Sequence, residues 1–549
     1  MSASPLIARG ITRRHGARTV LEAVDITVSP RARIGLIGPN GSGKSTLLRI
    51  LAGVEPADAG SVESRGAVGY VPQLATPDLR HLTAADGILE RIGVGPASRE
   101  LDRRAAALDG TEPAAIEAHS EALERWMALG GADADARISR AAAELALDRE
   151  LLARPLESLS GGQAARAGLA AVAAARFDVL LLDEPSNHLD ADGLRRLSGL
   201  LRESQAAIVL VSHDRDLLAA TVDEVVALER DRGGAIGYAG GWVAYERERD
   251  AAHRRAEAAY LDAIRRRAKL IEAEHEMRRR SAESAGRVGG RGRDADKNAR
   301  EWVRARAAGV ERRASRVATR ADRDPIPDKP RDAPRLGLSL TAAERRGGPV
   351  VALEGAVVRR GEWRLGPLDV AVDPGGRILL DGANGAGKSS LLAALSGRLD
   401  LEAGRRRLAP GAAVGMLGQE REAPDGDTSV AAALARGAGT TETDARTALA
   451  SFGLGADVAE RPWGSLSAGE RTRAELTLLG ARRVTCLLLD EPTNHLDVES
   501  LEILERALDG WPGALVVATH DGRLRELRLD SRIEVAPEGA PGLPDAGGS

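Results

Sequence analysis

Cysteine occurs once in the 549 residues, at Cys486. A single cysteine excludes a disulfide framework, a cysteine-based zinc site and a cysteine-ligated iron–sulfur cluster. Aromatic residues are few, with six Trp, four Tyr and two Phe. That argues against recognition of single-stranded RNA by base stacking. No stretch reaches the roughly 18 uninterrupted apolar residues of a membrane helix. The N-terminal MSASPLIARGITRR has no apolar run to act as a signal-peptide core. A cytoplasmic protein that neither spans a membrane nor is secreted is expected. Lysine is scarce too: there are five, Lys44, Lys269, Lys297, Lys329 and Lys388, against 72 arginines. With abundant Ala and Gly, this bias fits a GC-rich coding genome, in which Arg fills most sites that need only positive charge.

The length allows three or four domains at about 100–200 residues each, and the chain repeats itself once. RIGLIGPNGSGKSTLLRILAG and RILLDGANGAGKSSLLAALSG both read strand, Gly-rich turn, helix, and both carry G-x-x-x-x-G-K-[ST]. Further matches follow in order: Gln73 and Gln419, LSGGQ and LSAGE, VLLLDEPSNHLD and CLLLDEPTNHLD, SHD and THD. The phosphate loops are 344 residues apart, whereas the signatures, the acidic strands and the histidines are all 307 apart. The first half therefore holds 37 extra residues, read as a helical insertion at about 93–137. Between the repeats, residues 243–323 carry a net charge of +9 in a chain of −4. Long helix-forming runs broken at Ser284–Asp296 predict a helix, a glycine-marked flexible tip and a returning helix. DPIPDKPRDAP reads as a Pro-rich connection, and the C-terminal APEGAPGLPDAGGS as a disordered tail. The expected division is 1–241, 242–324, 325–347, 348–535 and 536–549.

The chemistry follows from residue type. Glycines let the loops Gly38, Pro39, Asn40, Gly41, Ser42, Gly43 and Gly382, Ala383, Asn384, Gly385, Ala386, Gly387 curl so that backbone N–H groups face phosphate oxygens. Lys44 and Lys388 reach the terminal phosphates as compact charges that Arg would not replace. Ser45 and Ser389 are expected to ligate Mg²⁺, with Thr46 and Ser390 beside them at the helix N-termini. Asp183 and Asp490 end apolar strands and can reach the same ion, as can Gln73 and Gln419; Glu184 and Glu491 can orient or deprotonate the attacking water. His213 and His520, after strands, can sense or stabilise transition-state charge. In the signatures, Ser160, Gly161, Gly162, Gln163 and Ser467, Gly469, Glu470 open a helix and make a second anion site. Cys486, within an apolar strand, reads as a packed small hydrophobe.

Walker loop, glutamine, LSGGQ, LLLDEP and histidine together resemble the ATP-binding cassette family, over roughly residues 5–240 and 348–535. The resemblance implies an α/β fold, two P-loop ATP-binding cassette domains joined by a long α-helical hairpin linker. It implies ATP and Mg²⁺ as cofactors. It also implies a head-to-tail intramolecular pair in a monomer, with Lys44 facing Ser467 and Gly469, and Lys388 facing Ser160 and Gly162. Two departures stand out. Ala468 and Glu470 replace Gly and Gln in the second signature, which predicts slower hydrolysis at the Lys44 site. The family's adenine-stacking aromatic is also absent, its place taken by His15 and by Arg359 or Arg360.

Three kinds of tandem-cassette protein compete: an ATPase subunit energising a separate membrane importer, a DNA-repair ATPase, and a translation factor of the ABC-F type. The lone cysteine argues against the zinc-bearing repair type and the cluster-bearing recycling type. EPSNHLD, EPTNHLD, the 37-residue surplus and the basic hairpin are similar to ABC-F proteins. That resemblance implies an ATP hydrolase that binds the ribosome at its tRNA exit site without membrane insertion. Its hairpin would reach rRNA and tRNA, with Arg278, Arg279, Arg280, Arg287, Arg291, Arg293 and Lys297 around the tip. Some members protect ribosomes from macrolide- or lincosamide-type antibiotics; others assist ordinary translation. An importer subunit would leave the hairpin unexplained.

Overall fold

The computed structural model describes residues 6–535, except 17, 65, 73–78, 109–111, 188, 230–233, 290–296, 324, 328–347, 361–362, 419–425, 483, 494–495 and 528. Residues 1–244 and 333–549 form one compact unit and residues 245–332 another. The connection expected at 325–347 lies largely outside the described residues, and the tail at 536–549 entirely so.

The larger unit holds two α/β cassettes. In the first, a six-stranded sheet runs in the order Val68–Val71, Val179–Asp183, Ala207–Val211, Arg33–Ile37, Glu224–Leu228, Ala235–Ala239. All neighbours are parallel except the last pair. The second cassette repeats this with five parallel strands, Val414–Leu417, Cys486–Asp490, Ala514–Ala518, Arg377–Asp381 and Ser531–Glu534. Val179–Asp183, Ala207–Val211, Cys486–Asp490 and Ala514–Ala518 are buried at every residue. They are continuous apolar runs because both faces of a parallel sheet are covered. Each cassette adds a three-stranded antiparallel sheet, ordered Arg18–Val28, Leu6–His15, Ala59–Ser64 and Trp363–Val372, Val351–Arg360, Ala403–Leu408. Leu6, Ile11, Leu21 and Val28 pack that layer onto Leu47, Leu48 and the main sheet.

The strand order has a functional consequence. The strands that lead into the phosphate loop, end in the aspartate and precede the histidine are adjacent in each sheet. Their C-terminal ends therefore open on one crevice, where parallel α/β sheets bind ligands.

The surplus of the first cassette is a pair of helices, Val94–Ala106 and Pro113–Ala128. Gly93 and Gly130, both at positive φ, flank it. The Trp126 indole donates to Ser98 Oγ at 2.9 Å and ties the two helices together.

The smaller unit takes in the helix Gly241–Gly289 from residue 245 onward and the helix Lys297–Arg323. The helix continues through Ser284–Gly289, so the break comes later than the sequence predicts. One glycine inside a helix costs only about 1 kcal/mol relative to Ala, and Gly286 does not stop a run of this length. Ala263 and Glu274 on the first helix and Ala314 on the second are buried.

Candidate functional site

The two phosphate loops have the same backbone. Gly43 and Gly387 adopt φ of 96° and 108° just before the helices Lys44–Leu51 and Lys388–Ser396. A Cβ on Gly43 would lie 2.8 Å from Val20 Cγ1 and Leu21 Cδ2, and one on Gly387 would overlap the Trp363 ring. Only glycine fits these bends. The Lys44 ammonium donates to Gly38 O at 2.7 Å and Pro39 O at 3.2 Å. Lys388 does the same to Gly382 O at 2.5 Å and Ala383 O at 3.1 Å. Burial lowers the pKa of both lysines, against the pull of nearby carboxylates that include Glu184 and Asp497 for Lys44, and Glu491 and Asp381 for Lys388.

Both candidate ion-binding pairs are assembled. Ser45 stands beside Asp183, and Ser389 beside Asp490, each hydroxyl favouring the charged aspartate. Burial raises the pKa of both aspartates. Asp183 Oδ1 is buried without a hydrogen-bond partner among the described residues, while Tyr70 Oη donates to Oδ2 at 3.1 Å. Hard oxygen donors of this kind suit Mg²⁺. Gln73 and Gln419 lie outside the described residues.

Glu184 and Glu491 are non-glycine residues at positive φ, 51° and 44°. Such a conformation costs on the order of 1–3 kcal/mol and marks a functional constraint when it recurs. Each is held by its own N–H, Glu184 to Val211 O at 2.9 Å and Glu491 to Ala518 O at 2.8 Å. His213 Nε2 stands 3.0 Å from Glu184 Oε1, and His520 Nε2 3.4 Å from Glu491 Oε1. Electrostatically the pairs differ. Burial would raise the Glu184 carboxyl, but His213 and Lys44 hold it below the usual carboxylate range. Burial pushes Glu491 up to about 7, Asp490 adding to this and Lys388 opposing it. Burial and Lys388 depress His520 to about 4.

The signature helices Gly161–Ala174 and Ala468–Ala481 each open with a capping box. Ser160 N donates to Gln163 Oε1, and Ser467 N to Glu470 Oε2, both at 2.9 Å. The Gln163 and Glu470 side chains, expected to hold nucleotide, are thus turned back onto the caps. This explains how Glu stands where the first signature has Gln, since either closes the box. Glu470 also accepts from Ser467 Oγ at 2.9 Å and faces Arg461 at 3.3 Å. Gly469 lies in the first turn of its helix.

The cassettes meet head to tail. A cavity of about 580 Å³ is lined by Lys388, Ser389, Asp490, Glu491 and His520 of one cassette and Ser160, Gly161 and Gly162 of the other. A cavity of about 460 Å³ is lined by Lys44, Ser45, Asp183, Glu184 and His213 together with Ser467. Both volumes suit a small-molecule ligand. Asn40 N donates across the interface to Asp497 Oδ2 at 2.8 Å. Asp497 was not singled out in the sequence, although NHLD recurs at the common 307-residue spacing.

The walls of the two cavities differ. His15 and Arg18 line the Lys44 cavity. In the other, Trp363 lines the wall, an aromatic one strand away from Arg359 and Arg360. The expected absence of an aromatic is therefore corrected for the Lys388 cavity; Arg359 instead approaches Glu402 at 3.9 Å. Cys486 is fully buried, and burial pushes its thiol up to about 12.

In the smaller unit, Arg278 pairs with Glu274, and Arg279 and Arg280 with Glu276, each at 2.8 Å. The helix continues to Gly289, so these three sit on its shaft and not around a tip. The side chains of Arg287 and Lys297, and the whole of Arg291 and Arg293, lie outside the described residues.

Residues 21–187 and 365–494 match the family model described as ABC transporter. The chain is 37% identical over 563 residues to the tylosin resistance ATP-binding protein TlrC of Streptomyces fradiae, covering 97% of each. The chain belongs to the ABC-F family. This ABC-F ATPase is also 32% identical to the probable ATP-binding protein YheS of Escherichia coli K12, over 94% of the chain and 76% of YheS. It is 30% identical to the energy-dependent translational throttle protein EttA of Mycobacterium tuberculosis H37Rv, over 93% and 88%. Two solved structures share the fold at 18% identity and TM-score 0.58. They are the RNase-L inhibitor, over 97% of this chain and 90% of that one, and the archaeal ribosome recycling factor aABCE1 with stalk protein aP1, over 97% and 89%. No helix among the described residues is long and apolar enough to cross a membrane.

Proposed function

We propose that this ABC-F ATPase binds the ribosome near the tRNA exit site, modulates translation through ATP binding and hydrolysis, and protects ribosomes against macrolide- or lincosamide-type antibiotics. The observation that carries the reading is end-to-end similarity to a tylosin resistance protein, 97% of both chains, including the two-helix unit between the cassettes. An importer subunit gives that unit no role. The basic residues of the two helices and of the segment 290–296 between them would meet RNA phosphates.

Each ATP lies between one phosphate loop and the opposite signature, Lys44 with Ser467 and Lys388 with Ser160. Backbone N–H groups and the lysine hold the phosphates. Ser45 and Asp183, joined by Gln73, and Ser389 and Asp490, joined by Gln419, would hold Mg²⁺, which neutralises charge on the β- and γ-phosphates. Glu184 and Glu491 orient the attacking water and accept its proton. The water oxygen bonds to the γ-phosphorus as the bond to the β-phosphate bridging oxygen breaks, and ADP leaves. His213 and His520 stabilise the transferred phosphoryl group. ATP at both sites closes the cassettes; hydrolysis opens them and releases the ribosome.

The test is drug susceptibility. Expression in a macrolide-sensitive host should raise the inhibitory concentration of macrolides or lincosamides and leave that of non-ribosomal drugs unchanged. No change for any ribosome-targeting drug would refute the resistance assignment.

A further inference from the structure

Asp183, on the wall of the Lys44 cavity, is held from behind by a residue that does not itself line the cavity. Tyr70 lies on the strand Val68–Val71, beside Val179–Asp183, and its Oη donates to Asp183 Oδ2 at 3.1 Å. The guanidinium of Arg49, on the phosphate-loop helix, stands beside the same phenol. Arginine can only donate, and an ionised carboxylate can only accept. The one phenol proton is therefore turned to Asp183, while the phenol oxygen faces Arg49. Arg49 is itself fixed, Nε donating to Glu55 Oε2 at 2.9 Å and Nη2 to Thr46 Oγ1 at 3.3 Å. A cation behind the phenol strengthens the bond that the phenol donates. With Oδ2 engaged, Asp183 Oδ1, buried and without a hydrogen-bond partner among the described residues, is the oxygen left for an ion.

The second cassette keeps the backbone and changes the side chains. Met416 pairs with Leu488 as Tyr70 does with Leu181, so Met416 holds the place of Tyr70. Its thioether has no proton to donate, and it packs against the hydrophobic core of its cassette. At the 344-residue spacing of the phosphate loops, Ala393 stands for Arg49 and Leu399 for Glu55. Leu399 packs against the same core. The polar support behind Asp183 is replaced by apolar packing on the Asp490 side.

We infer that Tyr70 is a positioning residue for the divalent ion of the Lys44 site, aiming the Asp183 carboxylate at it, and that the Lys388 site holds its ion without such a residue. The inference rests on the reading that each site takes Mg²⁺ with its ATP. Hydrogen bonds that orient a ligating carboxylate commonly govern metal affinity by about ten- to a hundredfold.

Mn²⁺ titrated into the full-length chain is the probe, with a non-hydrolysable ATP analogue supplied at one per site. The electron paramagnetic resonance signal of free Mn²⁺ reports how much is bound. The wild type should take up two Mn²⁺. In Lys388→Ala, which leaves the Lys44 site, adding Tyr70→Phe should weaken Mn²⁺ by about ten- to a hundredfold. In Lys44→Ala, which leaves the Lys388 site, adding Tyr70→Phe should change nothing. Phenylalanine keeps the ring, so binding of the analogue in EDTA, without metal, should be the same with and without Tyr70→Phe; a merely structural role would move it. Mn²⁺ affinity at the Lys44 site that is unchanged by Tyr70→Phe, affinity that falls equally at both sites, or metal-free binding that falls as far as Mn²⁺ binding would overturn the inference. A wild type that takes up fewer than two Mn²⁺ would overturn the two-site reading itself.

Discussion

The Asn40 backbone N–H donates to the Asp497 carboxylate at 2.8 Å, tying the phosphate loop of the first cassette to a helix cap of the second. The same carboxylate caps its own helix by accepting from Ser500 N at 2.9 Å. Asp497→Ala should cost about 1 kcal/mol through the lost cap and lower ATP turnover beyond that loss. Asp497→Asn should keep the cap, and hence the melting temperature, while weakening the link to Asn40. Thermal denaturation beside steady-state ATPase assays separates the two effects.

Gly387 combines φ of 108° with the Trp363 ring directly beyond its missing Cβ. Gly387→Ala should abolish nucleotide binding at the Lys388 site and leave the Lys44 site intact. Equilibrium dialysis should then find one nucleotide per chain in place of two.

Asp214 caps the helix Arg215–Thr221 through Leu217 N at 2.7 Å. Burial raises its pKa from 3.8 to about 6; the Leu217 N–H opposes the rise, while Asp216 on its own helix and Asp521 from the second cassette add to it. The folded state therefore holds a proton more tightly than the unfolded one. Stability falls as pH rises from the unfolded value through about 6 and is lowest above it. Asp214→Asn, which keeps the cap, should stabilise the protein above pH 7 by on the order of 2 kcal/mol and have little effect near pH 4. Melting curves across that range provide the check.

Arg279 and Arg280 pair with Glu276 at the helix surface, where such a pair contributes about 0–1 kcal/mol, and Arg278 pairs with the buried Glu274. Replacing Arg287, Arg291, Arg293 and Lys297 with Gln should weaken ribosome binding and flatten its salt dependence, by about one unit of slope per lost phosphate contact. The Arg278–Arg280 triple replacement should do less. Binding titrations at several salt concentrations distinguish the two sets.

The repeat made most of this architecture readable in advance. Gly38–Ser45 and Asp183–Glu184 announced the crevice because glycine bends, a buried lysine and strand-end acids are local in sequence. The single spacing of 307 residues revealed the 37-residue surplus that became two helices. Contacts between the halves were not legible. Asn40 with Asp497, and Arg215 with Glu505, are 457 and 290 residues apart, and their meeting follows only from docking the cassettes. Trp363 escaped notice for a different reason: it enters the cavity from the strand next to the one where an aromatic was sought. That Arg278–Arg280 lie within a helix that runs to Gly289 was not legible, because the glycines from 286 onward read as an earlier break.

The central claim is that closure on ATP commits this ABC-F protein to the ribosome and hydrolysis frees it. Glu184→Gln with Glu491→Gln keeps the size of both side chains and removes the groups assigned to accept the water's proton. The direct measurement is sedimentation of this double variant through a sucrose cushion with purified ribosomes. It should pellet with them in ATP and remain in the supernatant with ADP or without nucleotide, while the wild type is released after turnover. A double variant that stays in the supernatant in ATP, or pellets equally without nucleotide, would contradict the account.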